Sequence, residues 1–300
     1  MFHHFHGKGF PKVQGSISQK EFLKILSNLK KKKKILNPEE YFNKVSNKKI
    51  SNNEVCITFD DAIKSQVKLI LPILDKLNIK AFFFVYTSLF KGEPDNLEYY
   101  RDFRCMYYKN LKIFYKDFYK ILEKFFPNKN KIFFFKYKSN YLKKYKFYTN
   151  DDRKFRFCRD VILTKKEYEK IMNLMMKKKK YSRKKRKNLL FMNTTDIKKI
   201  DKAGHVVGIH SHSHPTTLKK LSENLQYREY KDSKIILESL LRKKVWSMSH
   251  PCGSYNNTTL KILKKIGIKI GFRSNLIIKK IKSKLEIPRQ DHAELLIKLK

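Results

Sequence analysis

The sequence predicts an α/β fold with parallel strands. Three observations carry that prediction. An apolar strand over Glu54–Phe59 ends on two acids. A helical pattern and a second apolar strand, Ala81–Tyr86, follow it. The same strand–helix alternation returns between residues 205 and 272. Such alternation fits an α/β barrel or a doubly wound sheet, and both place their chemistry at the carboxyl ends of the strands. The 300 residues suffice for one large domain of this class or two small ones, and a hydrophobic content of 41 % can fill its core.

Ser18 and Glu21 form a capping box that predicts a helix over Gln19–Leu29. Asn37 then serves as N-cap with Pro38 at the first helical position. After the strand Glu54–Phe59, the residues Val67, Ile70, Ile73, Leu74 and Leu77 share one helical face, which Pro72 should kink. From residue 97 to 190 the pattern loosens into interleaved aromatic and basic residues, as in Phe133–Tyr137 and Tyr145–Tyr148, with Thr164 and Glu167 capping a helix. This segment reads as a mostly helical insertion with snorkelling lysines. A nucleic-acid surface is disfavoured, because no binding signature accompanies it. Beyond it come a short helix around Asp196, a strand His205–Ile209, a long helix Glu223–Leu241, a strand Val245–Ser249, a turn Pro251–Tyr255, a helix Thr258–Lys265 and a strand Ile268–Phe272.

The net charge of +43 allows two readings: a polyanionic partner, or a compositional bias in which Asn, Ile, Lys and Phe are all heavily used. The second is preferred. Cys56, Cys105, Cys158 and Cys252 form no CxxC pair and no disulfide framework, which suits a reducing compartment. The first residues lack the apolar run of a signal peptide, and no stretch is long enough to span a membrane. The expectation is a cytoplasmic protein.

The chemistry is concentrated at two strand ends. Asp60 and Asp61 are adjacent, and two close carboxylates repel unless a cation compensates. The competing reading is a helix N-cap pair. His210 and His214 stand four apart at the end of another strand, followed by Pro215. A catalytic metal site needs about three protein ligands and an open position. Asp61, His210 and His214 meet that count, leaving Asp60 as a general base. His212 is expected to point elsewhere, and His205 to serve the strand start. His3, His4 and His6 contribute to substrate or metal binding or form an exposed or partly packed cluster; the second is preferred.

Thr58-Phe59-Asp60-Asp61 resembles the first motif of the polysaccharide deacetylases, or NodB-like carbohydrate esterases, with Ala62 where that family has glycine. His210-Ser211-His212-Ser213-His214-Pro215 resembles their second motif. The resemblance covers roughly Glu54–Tyr86 and Ile197–His292. It implies a deformed (β/α)7-like barrel built from residues 54–96 and 191–300, with 1–53 as a strand and helical lead-in and 97–190 as the insertion. It also implies Asp60 as base, Asp61, His210 and His214 as metal ligands, and removal of an acetyl group from a sugar or polysaccharide precursor. The ligand set suits Zn²⁺, and also Co²⁺, Ni²⁺, Mn²⁺ or Fe²⁺.

The family's third motif, Arg-x-Pro-aromatic-Gly, is altered here to Ser249-His250-Pro251-Cys252-Gly253. The surviving turn leaves Cys252, Gly253 and Tyr255 as oxyanion or substrate contacts. Arg289, in Ile287-Pro288-Arg289-Gln290-Asp291 at the end of a late strand, is either the replacement for the missing arginine, with Asp291 in the same pairing, or a plain surface or phosphate-facing arginine. The family's late histidine motif is absent, so His250 and His292 are the candidates for the general acid. These departures motivate an alternative: a catalytically degenerate barrel that binds an anionic polymer.

Overall fold

The computed structural model describes residues 1–143, 148–276 and 281–297. The chain divides into two compact units, residues 1–95 with 187–300, and residues 96–186. Tyr145–Phe147, part of the second aromatic run noted above, lies outside the described residues.

The first unit opens with β1 (Phe5–His6), paired in parallel with β2 (Ile17–Ser18). Helix α1 (Gln19–Lys32) follows, with the Ser18–Glu21 capping box formed as expected, and runs three residues further than the sequence suggested. β3 (Lys34–Ile35) pairs with β4 (Glu54–Val55) around α2 (Pro38–Ser46), whose N-cap is Asn37. The strand expected over Glu54–Phe59 is broken at Cys56-Ile57, and β5 (Thr58–Phe59) joins a different sheet. Pro72 has the expected local effect. A π-turn, Gln66–Ile70, precedes α3 (Leu71–Lys76), because proline lacks the N–H needed to continue a regular ladder.

The central sheet is parallel throughout. β5, β6 (Phe82–Val85), β7 (Val206–Ile209), β8 (Ser247–Ser249) and β9 (Ile270–Phe272) lie in that order. Parallel bridges Phe2–Phe59 and Phe272–Ile287 extend it at both edges. The edges meet where the His292 amide donates to the Met1 carbonyl at 3.1 Å. The fold is a mixed α/β half-barrel with a curled parallel sheet, as the sequence predicted.

Side chains alternate across each strand. Phe82, Phe84, Val206, Ile270, Phe272 and Ile287 share one core with Leu36, Tyr41 and Val45. Phe59 and Phe83 stack on the other face, 4.6 Å apart. Gly208 is required where β7 meets β8: a Cβ there would lie 2.4 Å from Ser247 Oγ and 2.8 Å from Phe84.

The second unit contains α4 (Asn96–Tyr107), α5 (Leu111–Phe125), α6 (Pro127–Lys136), α7 (Asn150–Phe157) and α8 (Lys165–Lys178). Phe114, Phe118 and Leu122 line one face of α5 at four-residue spacing and are fully buried. Phe155 of α7 packs against Phe114 and Phe118 with centroids at 5.4 and 5.0 Å. Buried Asp102 accepts from Arg186 and Tyr181. Further along the chain come α9 (Arg183–Leu190), α10 (Thr194–Lys202), α11 (Glu223–Leu241), α12 (Asn257–Lys265) and α13 (His292–Ile297).

Candidate functional site

The pleat explains why distant residues meet. Asp60 lies two positions after Thr58, His210 two after Gly208, and Ser249 two after Ser247. By strand registry these continue the core-facing side of the sheet at its carboxyl edge. Asp61, His210 and His214 are brought together there, one donor atom from each lying within 4.8 Å of the others. Asp61 Oδ1 is 3.3 Å from His210 Nε2 and 3.4 Å from His214 Nε2.

The other ring nitrogens are tied down. His210 Nδ1 donates to the Ser249 carbonyl at 2.8 Å, and His214 Nδ1 to Asp95 Oδ2 at 3.2 Å. Both acceptors lack protons to give, so each Nδ1 carries a hydrogen and each Nε2 is the nitrogen left to bind a cation. Outer carboxylate or carbonyl partners of this kind characterise metal-ligating histidines. Burial works against the Asp61 carboxylate, yet His210, His3 and His214 hold its pKa well below the usual range. The donor set therefore fits a divalent cation.

The loops that carry these groups are strained. Asp61, Ala62, Ser211, His214 and Cys252 all have positive φ, between 51° and 74°. Left-handed backbone costs a non-glycine residue about 1–2 kcal/mol, and such strain collects at functional sites. At Ala62 (φ 51°) this accounts for the glycine usual at that motif position. Glu229 of α11 secures the histidine loop, accepting from the amides of His212 and Ser213 and the Ser213 hydroxyl.

Asp60 is buried and is gripped by Arg289. The two Nη atoms donate to Oδ1 and Oδ2 at 2.7 and 2.6 Å, and Nη2 also donates to Ser249 Oγ at 2.7 Å. Ser249 Oγ donates in turn to Asp60 at 3.1 Å. Burial pushes the Asp60 pKa up, but Arg289 and His210 outweigh it and hold it at about 2.

Several expectations need correction. His250 is not in the cluster. It follows Ser249 on the strand, so its side chain turns to the opposite face. There its Nε2 donates to the Leu285 carbonyl and its ring stacks on Tyr255, leaving it fully buried. Gly253 spends its amide on the His250 carbonyl within the turn, so it is not an oxyanion donor. The Tyr255 hydroxyl donates to Glu286. Exposed Cys252, with φ 52°, sits at the apex of the turn. Asp291 does not pair with Arg289; it lies 3.9 Å from His3 Nδ1 and 3.5 Å from His292 Nδ1. His292 is buried, with Nε2 donating to the Gly15 carbonyl. His212 points away, toward Thr87, and His205 is buried at the strand start, accepting from the Ala81 amide.

His3 is half-buried and stands beside the acids. The bridge between Phe2 and Phe59 carries it alongside β5, where Nε2 is 3.9 Å from Asp60 Oδ2. Gln66 clamps this strand pair, its amide donating to the carbonyls of both His3 and Asp60. Burial lowers the His3 pKa against the pull of Asp61, Asp60 and Asp291. The available signal was Phe2 and Phe5, two apolar residues that bury an N-terminal strand. Asp95, in a polar turn, carried no signal.

A family profile described as polysaccharide deacetylase matches residues 25–105 and 114–271. The chain belongs to the polysaccharide deacetylase family. It is by that membership a hydrolase of N-acetyl or O-acetyl bonds. No curated protein matches it. Among solved structures, the Streptococcus pyogenes deacetylase PplD in complex with acetate is 17 % identical, with a TM-score of 0.56 over 99 % of this chain and 95 % of that one. IcaB from Ammonifex degensii is 15 % identical, with a TM-score of 0.57 over 98 % and 92 %. A de-N-acetylase from Aggregatibacter actinomycetemcomitans is 13 % identical, with a TM-score of 0.55 over 97 % and 92 %. At these identities the likeness is one of fold. Among the described residues no helix is long and apolar enough to cross a membrane.

Proposed function

We propose that this polysaccharide deacetylase removes an acetyl group from a sugar or polysaccharide precursor, using one divalent ion held by Asp61, His210 and His214. The observation that supports it most directly is the convergence of those three donors beside a separate carboxylate, Asp60, fixed by an arginine. Zn²⁺ suits the two imidazoles and one carboxylate; Co²⁺, Ni²⁺, Mn²⁺ and Fe²⁺ are the alternatives. Such an ion would act as a Lewis acid and make water a nucleophile near neutral pH, offsetting the low basicity that Arg289 imposes on Asp60.

Asp60 is the general base. Arg289 and Ser249 orient its carboxylate so that it accepts the proton of the water attacking the acetyl carbonyl carbon. The backbone N–H at Cys252, in the turn that follows β8, is assigned as the oxyanion donor. His3 takes the general-acid role for which His250 and His292 are badly placed. Standing between Asp60 and Asp291, it gives a proton to the leaving nitrogen or oxygen as the C–N or C–O bond breaks and acetate departs.

The test combines metal analysis with an acetate-release screen over acetylated amino sugars and nucleotide sugars. Purified protein should carry about one equivalent of divalent metal. Asp61→Asn or His214→Ala should lose the metal. Asp60→Asn should keep it and lose acetate release; a fully active Asp60→Asn protein would refute the base assignment.

A further inference from the structure

Helix α6 of the second unit presents the wrong face to solvent for a packed helix. Its inward anchor is Phe133, 3 % exposed, which contacts Tyr119 and Phe157. On the outward side, Phe134 is 70 % exposed and Phe135 90 % exposed, with Ile132 at 40 %. A helix normally sets polar residues on the side opposite its core. Here Lys131, Phe134 and Phe135 form an i, i+3, i+4 stripe, and the exposed lysines Lys136 and Lys138 follow it. Residues 124–150 hold eight lysines and no acidic residue.

An apolar ridge in a basic collar is the composition that partitions into an anionic bilayer interface. Rings enter the headgroup–acyl boundary while lysine stems reach up to the phosphates. Single-stranded nucleic acid is the competing polyanion. Its bases stack on flat platforms, whereas Phe134 and Phe135 project about 100° apart around the helix, and Ile132 offers no ring. We propose that α6 docks this protein onto an anionic lipid surface, with Phe134 and Phe135 inserting and the surrounding lysines neutralising phosphates. Helix α6 carries none of the residues of the deacetylase cluster and does not depend on their chemistry.

The test is co-sedimentation of the full chain with phosphatidylcholine vesicles with and without phosphatidylglycerol, at near-physiological salt. Binding should require phosphatidylglycerol. The double substitution Phe134→Ser/Phe135→Ser should weaken it by about tenfold or more, while Leu225→Ser, an exposed apolar residue on α11, should leave it unchanged. Lys131→Gln/Lys138→Gln should weaken it and lessen its salt dependence. Circular dichroism confirms that each variant folds. Vesicle binding that is unaffected by the double phenylalanine substitution would overturn the proposal, since charge alone would then explain it. So would absent vesicle binding, including the case in which oligo(dT) binds through the same two phenylalanines.

Discussion

Arg289 and Asp60 form a bidentate pair, with Nη–Oδ distances of 2.7 and 2.6 Å, between positions 229 residues apart. The guanidinium carbon also lies 5.8 Å from the Phe84 ring and 6.0 Å from the Phe272 ring. The family's third motif would supply an arginine from position 249. A serine there is small enough for Arg289 to arrive from the far edge of the sheet, and it adds a hydroxyl to the network.

Arg289→Met would leave the buried Asp60 carboxylate unpaired. Breaking a buried pair in this way costs about 3–5 kcal/mol of stability. With burial unopposed, the Asp60 pKa should rise. Urea denaturation should show the stability loss, and acetate release should fall at least about tenfold. Arg289→Lys should be intermediate, because an ammonium cannot grip both oxygens from one plane.

Asp95→Asn should weaken metal binding by about 10–100-fold, the usual effect of removing the outer partner of a ligating histidine. Asp95 accepts from His214 Nδ1, and its loss frees the ring to rotate or change tautomer. Chelator competition measures this; an unchanged affinity would remove Asp95 from the site.

His3→Gln should lower kcat on an acetamido sugar by roughly 10²–10⁴-fold without changing metal content. The loss should nearly vanish on 4-nitrophenyl acetate, whose leaving phenolate needs no proton. Equal losses on both substrates would argue for a structural role instead.

Acid should destabilise the fold through two histidines outside the metal cluster. Burial is the main cause holding the His205 pKa at about 4 and the His250 pKa at about 3, against 6.5 for a free imidazole. Below 6.5 the unfolded chain binds these protons while the folded chain refuses them, so stability falls as pH drops and the effect saturates near those lower values. Each group should cost roughly 2–3 kcal/mol at about pH 4.5 relative to neutral pH. Urea midpoints at the two pH values check this, and His250→Asn should reduce the difference.

The local features were legible before any coordinates. Capping boxes and apolar periodicity located α1, α11 and most strands, because those signals act within a few residues of chain. The strand-end residues Asp60, Asp61, His210 and His214 could be singled out for the same reason: chain position at a strand terminus limits what a side chain can face. Elements whose pairing is long-range were less legible. The break at Cys56-Ile57, which hands β4 and β5 to different sheets, has no local marker.

By itself the sequence determined the donor inventory, the parallel α/β class and the altered third motif. Only the tertiary structure decided which groups surround those donors. Closure of the sheet edges carries His3 to Asp60, and Arg289 arrives from the opposite edge, while Asp95 comes from a loop with no periodicity of its own. The same pleat that points Ser249 at Asp60 turns His250 away from it. Side-chain direction at a strand end depends on register with the neighbouring strands, and register is a property of the assembled sheet.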